Sequence, residues 1–189
     1  MVTSSEVSSS RTGSRPVLNV ASFVERLADT AIGSTFNQYA GSVLRRDRLA
    51  EYLERRASAR YLLVGEAAGY RGARISGLPF TSERQVTGSG PAEATATIVH
   101  RVIEELGVDE NVLLWNVVPT HPGTECSNRR PTSREIREAM PFLEQLAGGR
   151  RAIAVGRVAH RVLGGIYVRH PSHGGGAAFR KGLLLSIPR

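Results

Sequence analysis

Apolar side chains along this chain recur with two different periods, and the change between them separates helices from strands. Over residues 20–31, Val20, Phe23, Val24, Leu27, Ala28 and Ala31 return every three or four positions, which predicts an amphipathic helix. Leu44, Leu49, Tyr52 and Leu53 predict a second helix over residues 43–57. The period then collapses into short unbroken apolar runs. These are Tyr61-Leu62-Leu63-Val64, Val112-Leu113-Leu114-Trp115, Ala152-Ile153-Ala154-Val155 and Gly165-Ile166-Tyr167-Val168. Runs of this length without polar alternation suit strands covered on both faces. Helical stretches separate them: residues 92–106 stopped by Gly107, 133–146 stopped by Gly148 and Gly149, and 158–163 stopped by Gly164. Thr132 or Ser133 can cap the second, with Glu135 in its first turn, where the helix dipole favours negative charge. The alternation predicts a three-layer α/β/α fold with a central, mostly parallel four-stranded sheet. A ligand crevice is then expected outside the carboxyl ends of the strands.

Composition narrows the partner. With 189 residues and 41% hydrophobic content the chain supports one sizeable core, so residues 17–189 are read as a single domain. Residues 1–16 are Ser-rich with little apolar content and are expected to form a disordered polar tail without the apolar centre of a secretory signal. Lys plus Arg number 25 against 17 acidic residues, a formal charge of +8, which favours a polyanionic partner or, equally, a solvated basic face. Lys181 is the only lysine, so nearly every positive charge is a guanidinium fork suited to phosphate. Cys126 is the only cysteine, which excludes an intrachain disulfide and an all-cysteine metal or iron-sulfur site built from one chain. The five histidines show no ligand spacing, so no metal or cofactor is expected. No apolar run is long enough to span a bilayer. A cytoplasmic location, nucleoid-associated in a bacterium, is the expectation, with a monomer as the default state.

Four short segments carry candidate chemistry. In Gly65-Glu66-Ala67-Ala68-Gly69, after the first predicted strand, small residues let backbone N–H groups approach a ligand, and Glu66 is either a functional carboxylate or an exposed turn residue. Phe80, in the Pro-stiffened Gly77-Leu78-Pro79-Phe80 loop, can stack on a base or anchor the loop in the core. Asn116 closes a very apolar predicted strand, where an amide needs partners. It can donate and accept at once, matching one edge of a base, or tie two loops together. His170, ahead of Pro171, can donate a hydrogen bond to a developing anion or serve as a satisfied structural residue. Glu66, Asn116 and His170 all fall at or just beyond a predicted strand end, so they are expected around one crevice. Residues 174–181 read as a flexible loop beside a duplex, with Arg180 and Lys181 on phosphates, or as a mobile linker.

In their order and spacing these segments resemble the uracil-DNA glycosylase superfamily, most closely its thermostable iron-sulfur branch and that branch's relatives. The similarity spans roughly residues 60–182. It also takes in Asn128-Arg129-Arg130-Pro131-Thr132, the helix holding Glu135-Ile136 and Pro141-Phe142-Leu143, and Val155-Gly156-Arg157-Val158-Ala159. The resemblance implies hydrolysis of the N-glycosidic bond of deoxyuridine by base flipping, with release of uracil, an abasic-site product, and no cofactor. It implies that Phe80 stacks on the uracil, that Asn116 reads its edge with Gly65 and Ala67 beside it, and that His170 stabilises charge at O2. Glu66 would position water or stabilise the sugar cation. Arg71, Arg74, Ser172, His173, Gly174, Arg180 and Lys181 are assigned to the DNA. The cluster cysteines of that branch are missing, Tyr70-Arg71-Gly72-Ala73-Arg74 replaces the acidic pair that often follows the first motif, and Ala68 stands where Pro is usual. The water-activating Asp of the best-known branch would align near Ala67. Two alternatives are a glycosylase for deaminated purines such as hypoxanthine or xanthine, and a non-catalytic binder of uracil-containing or abasic DNA.

Overall fold

A computed structural model describes residues 18–188, so the expected tail over residues 1–16 lies outside the described residues. Helices α1 (Val20–Asp29) and α2 (Val43–Arg55) lead into strand β1 (Tyr61–Ala67), followed by short helices α3 (Ala73–Ser76) and α4 (Glu83–Thr87) and by α5 (Ala94–Leu106). Strand β2 (Val112–Val118), a small antiparallel ribbon of β3 (Gly123–Thr124) and β4 (Ser127–Asn128), and α6 (Ser133–Ala147) come next. The chain ends with β5 (Arg151–Val155), α7 (Arg157–Leu163), β6 (Ile166–Val168) and α8 (Gly176–Ser186). The main sheet is four-stranded and parallel in the order β2-β1-β5-β6.

The pleat explains the unbroken apolar runs. Successive side chains point to opposite faces, so a strand covered twice must be apolar at every position. Leu62, Val64, Leu113, Trp115 and Ala154 pack with Phe23 and Leu27 of α1, Leu49 and Leu53 of α2, Phe142 and Leu143 of α6, and Ala159 of α7. Leu63, Val112, Leu114, Ile153 and Val155 pack on the other face with Val99, Val102 and Ile103 of α5 and with Phe179 and Leu183 of α8. These are the two outer layers of the expected α/β/α fold. Asn19 caps α1 by accepting the Ser22 N–H at 3.0 Å, and Thr132 and Glu135 form a reciprocal capping box at the start of α6.

Two expectations are corrected. Residues 174–181 are not a flexible loop: the chain enters α8 at Gly176, and Phe179 and Leu183 are fully buried one helical turn apart. Packing of that apolar face outweighs the poor helix propensity of the glycines before it. Nor does Asn116 end its strand. The β1–β2 ladder continues through Gly65↔Asn116 and Ala67↔Val118, because backbone pairing does not stop where apolar side chains do.

Candidate active site

A cleft of about 360 Å³ opens at the carboxyl ends of the parallel strands, within the size range of small-ligand pockets. The register that pairs Gly65 with Asn116 sets one wall. A Cβ at Gly65 would collide with the edge of the Phe80 ring and lie 2.8 Å from Asn116 Oδ1. Glycine is therefore required here for close approach, and it lets ring and amide adjoin above the strand end. Asn116 is 4% exposed, and its amide makes no hydrogen bond to any described residue. An amide so little exposed and without a protein partner is open to water or a ligand only at the cleft it lines.

Phe80 has φ 51°, the left-handed region that a bulky residue rarely adopts. Such backbone persists only where its surroundings over-determine it. Here they do. Tyr39 Oη donates to the Gly77 carbonyl at 3.0 Å, Arg45 Nε to the Ile75 carbonyl at 2.8 Å, and Arg48 Nη1 to the Ser76 carbonyl at 3.2 Å. Fully buried Ser76 donates through Oγ to the Thr81 carbonyl at 2.6 Å, and Thr81 Oγ1 donates to the Pro79 carbonyl at 3.0 Å. Helix α2 thus contributes two of the side chains that hold this loop, Arg45 and Arg48.

The imidazole of His170 lies beyond β6, with Gly156 closing in beside its Cβ. The Ser172 backbone N–H donates to His170 Nδ1 at 3.2 Å. Nδ1 is thus the acceptor, and a neutral ring carries its proton on Nε2. Burial, with His173 second, lowers the His170 pKa below its usual value, which keeps the ring neutral at neutral pH. A neutral imidazole with a fixed Nε2–H can donate to an oxyanion.

Glu66 and Glu93 both line the cleft. Burial raises the pKa of Glu66, while Arg130 and Arg161 pull it back. Burial alone raises that of Glu93. Neither carboxylate accepts a hydrogen bond from any described residue. Arg129 and Arg130 complete the rim. Arg129 is held by both oxygens of buried Glu135, one at 2.8 Å, whereas Arg130 makes no ion pair among the described residues.

A profile of the Uracil DNA glycosylase superfamily matches residues 54–187. The chain belongs to that superfamily. Among solved structures, SMUG2 of Pedobacter heparinus superposes on this superfamily member with a TM-score of 0.64 at 12% identity, covering 88% of this chain and 96% of that one. At that identity the likeness shows the shared fold. No curated protein matches the chain.

In this glycosylase-superfamily chain, the structure brings together Glu66, Ala67, Phe80, Asn116, His170, Ser172 and His173 around one cleft, with Gly65 packed between Phe80 and Asn116. Arg71, Arg74, Gly174, Arg180 and Lys181 are not among its lining residues. Arg74 is bound to Glu125 at 3.0 Å and lies 4.9 Å from the centre of the Phe36 ring, and Arg180 is bound to Glu105 at 3.0 Å on the outer face of α8. Sequence reasoning missed Glu93, Arg129 and Arg130 as cleft residues. The two arginines had a signal, since they sit in a segment shared with the family just ahead of a capping box. Glu93 had none, because only the packing of α5 carries it to the cleft.

Among the described residues no group of His, Cys, Asp or Glu is arranged to hold a metal ion, and no helix is long and apolar enough to cross a membrane.

Proposed function

We propose that this superfamily member hydrolyses the N-glycosidic bond of deoxyuridine in DNA, releasing uracil and leaving an abasic site. The observation that carries the reading is the Asn116 amide, 4% exposed and without a protein partner, set beside the Phe80 ring in the cleft that His170 also lines. A uracil edge presents an acceptor beside a donor, which one amide satisfies with two hydrogen bonds. The bond is inaccessible inside a stacked duplex, so the nucleotide is flipped into the cleft. Phe80 stacks on the base. Bond cleavage leaves the electron pair on the pyrimidine, and His170 Nε2–H stabilises the negative charge at O2. The sugar becomes cationic as the base departs, and the half-buried Glu66 carboxylate stabilises it electrostatically.

Single-turnover release of free base from duplexes containing uracil, thymine, hypoxanthine or xanthine tests this reading. Preferential release of uracil, lost in His170→Ala and Asn116→Ala, is the expected result. Preference for a deaminated purine would reassign the substrate. Tight binding to uracil-containing DNA with no base released would make the protein a non-catalytic reader.

A further inference from the structure

We propose that Glu93, at the amino-terminal boundary of α5, is the general base that activates the hydrolytic water, a role that rests on the glycosylase reading above. Its carboxylate lies against the 69–72 turn that follows β1: Oε1 is 2.6 Å from where a Cβ on Gly69 would sit, and a Cβ on Gly72 would collide with Oε2. A side chain at either position would have to push that carboxylate aside, so the two glycines leave room for a second acid brought in by a remote helix. That carboxylate faces the same cleft as Phe80, Asn116 and His170. It accepts no hydrogen bond from any described residue, although it is half-buried. A desolvated carboxylate without a protein partner has its lone pairs free for water.

The contrast with Glu66 assigns the two acids. The titratable groups sharing the cleft are Glu66 on β1, Arg129 and Arg130 ahead of α6, and His170 and His173 beyond β6. Tyr70, Arg71 and Arg74 lie on the adjoining turn and its helix, and Arg74 is engaged by Glu125. Burial raises the pKa of both acids, and at Glu66 Arg130 and Arg161 partly offset it, which keeps more of the anionic form that can steady a cation. No cation offsets the burial of Glu93, so its proton affinity is raised toward that of a useful base. In the reaction, water gives a proton to the Glu93 carboxylate while its oxygen bonds to C1′. The C1′–N1 pair leaves on uracil, whose charge is held at His170 Nε2–H. The proton later passes to solvent.

The test is single-turnover excision by wild type, Glu93→Gln and Glu93→Ala, with and without sodium azide, over a range of pH, alongside affinity for an abasic-site duplex and circular dichroism. Glu93→Gln should slow excision about 100 to 10,000-fold with abasic-site affinity unchanged. The part of the acid-side fall in wild-type rate that Glu93 sets should be missing in Glu93→Gln, leaving only the fall set by Glu66 and His170. Azide attacks C1′ without surrendering a proton, so it should restore base release in Glu93→Ala and not in His170→Ala. A Glu93→Gln rate within about threefold of wild type, or a folded, DNA-binding Glu93→Ala that azide does not rescue, overturns the proposal while leaving the glycosylase reading intact. Failure of the wild type to release any of the four bases overturns both.

Discussion

Phe80 stands in a loop held by α2, by buried Ser76 and by its own Thr81, whereas Glu66 and Glu93, in the same cleft, hold carboxylates that no described residue donates to. The difference separates two ways of preparing a site. A stacking face must be rigid before the ligand arrives, because any freedom left in it is lost on binding. Groups that meet water and developing charge must stay unsatisfied, since a carboxylate already bound to an arginine is a poor base. Arg129 shows that alternative in the same cleft: Glu135 grips it, and the pair builds the turn into α6.

Removing the proposed oxyanion donor tests the rigid side most severely. His170→Ala should reduce single-turnover excision about 100 to 1,000-fold. Because the pKa of His170 is lowered, the neutral donor persists below the usual histidine range, so this group should not limit the rate until the solution is more acidic than that range.

The gripped carboxylate is the next largest effect and appears in stability. Glu135 has a pKa near 2, held down first by Arg129, against 4.5 when unfolded. A depressed carboxylate contributes fully above its unfolded pKa, and the contribution is lost as pH falls from 4.5 toward 2. Glu135→Gln should cost about 3 kcal/mol at neutral pH, and the variant should converge on wild type in urea unfolding carried out at progressively lower pH. Glu93→Gln, with nothing to lose but solvent, should leave neutral-pH stability nearly unchanged. Equal losses from the two variants would erase the distinction between them.

Smaller effects probe the wall itself. Phe80→Leu should weaken binding of uracil-containing DNA by about 1 to 3 kcal/mol, read as a higher dissociation constant in fluorescence anisotropy. Gly65→Ala forces a methyl against the ring and the amide, and should lower unfolding free energy by about 1 to 3 kcal/mol while also slowing excision. The least effect belongs to the cations. Arg130→Ala should reduce the salt dependence of DNA binding by about one phosphate contact, and Arg74→Ala should change it less, since Glu125 already engages Arg74.

Much of the fold was legible because burial on both faces writes itself into consecutive apolar residues, as in Leu62-Leu63-Val64 and Val112-Leu113-Leu114. The left-handed conformation of Phe80 was not legible: no local preference produces it, and it exists because Tyr39, Arg45 and Arg48 bond to the carbonyls of residues 75–77. Helix α8 was misread for the complementary reason. Three glycines dominate its local signal, while the spacing of Phe179 and Leu183 gains meaning only against the sheet face that covers them.

The sequence by itself determined the α/β/α architecture, the parallel sheet and the placing of Glu66, Asn116 and His170 near one end of it, since strand burial and the pleat are short-range consequences of side-chain order. The tertiary structure alone decided which charges are free. Arg74, Arg129 and Arg180 are engaged by Glu125, Glu135 and Glu105, while Arg130 is left at the cleft. It also decided that Glu93, 27 positions beyond Glu66 in the chain, shares the cleft with it. Pairing and proximity of this kind depend on how separate elements pack, and the distance along the chain carries no record of them.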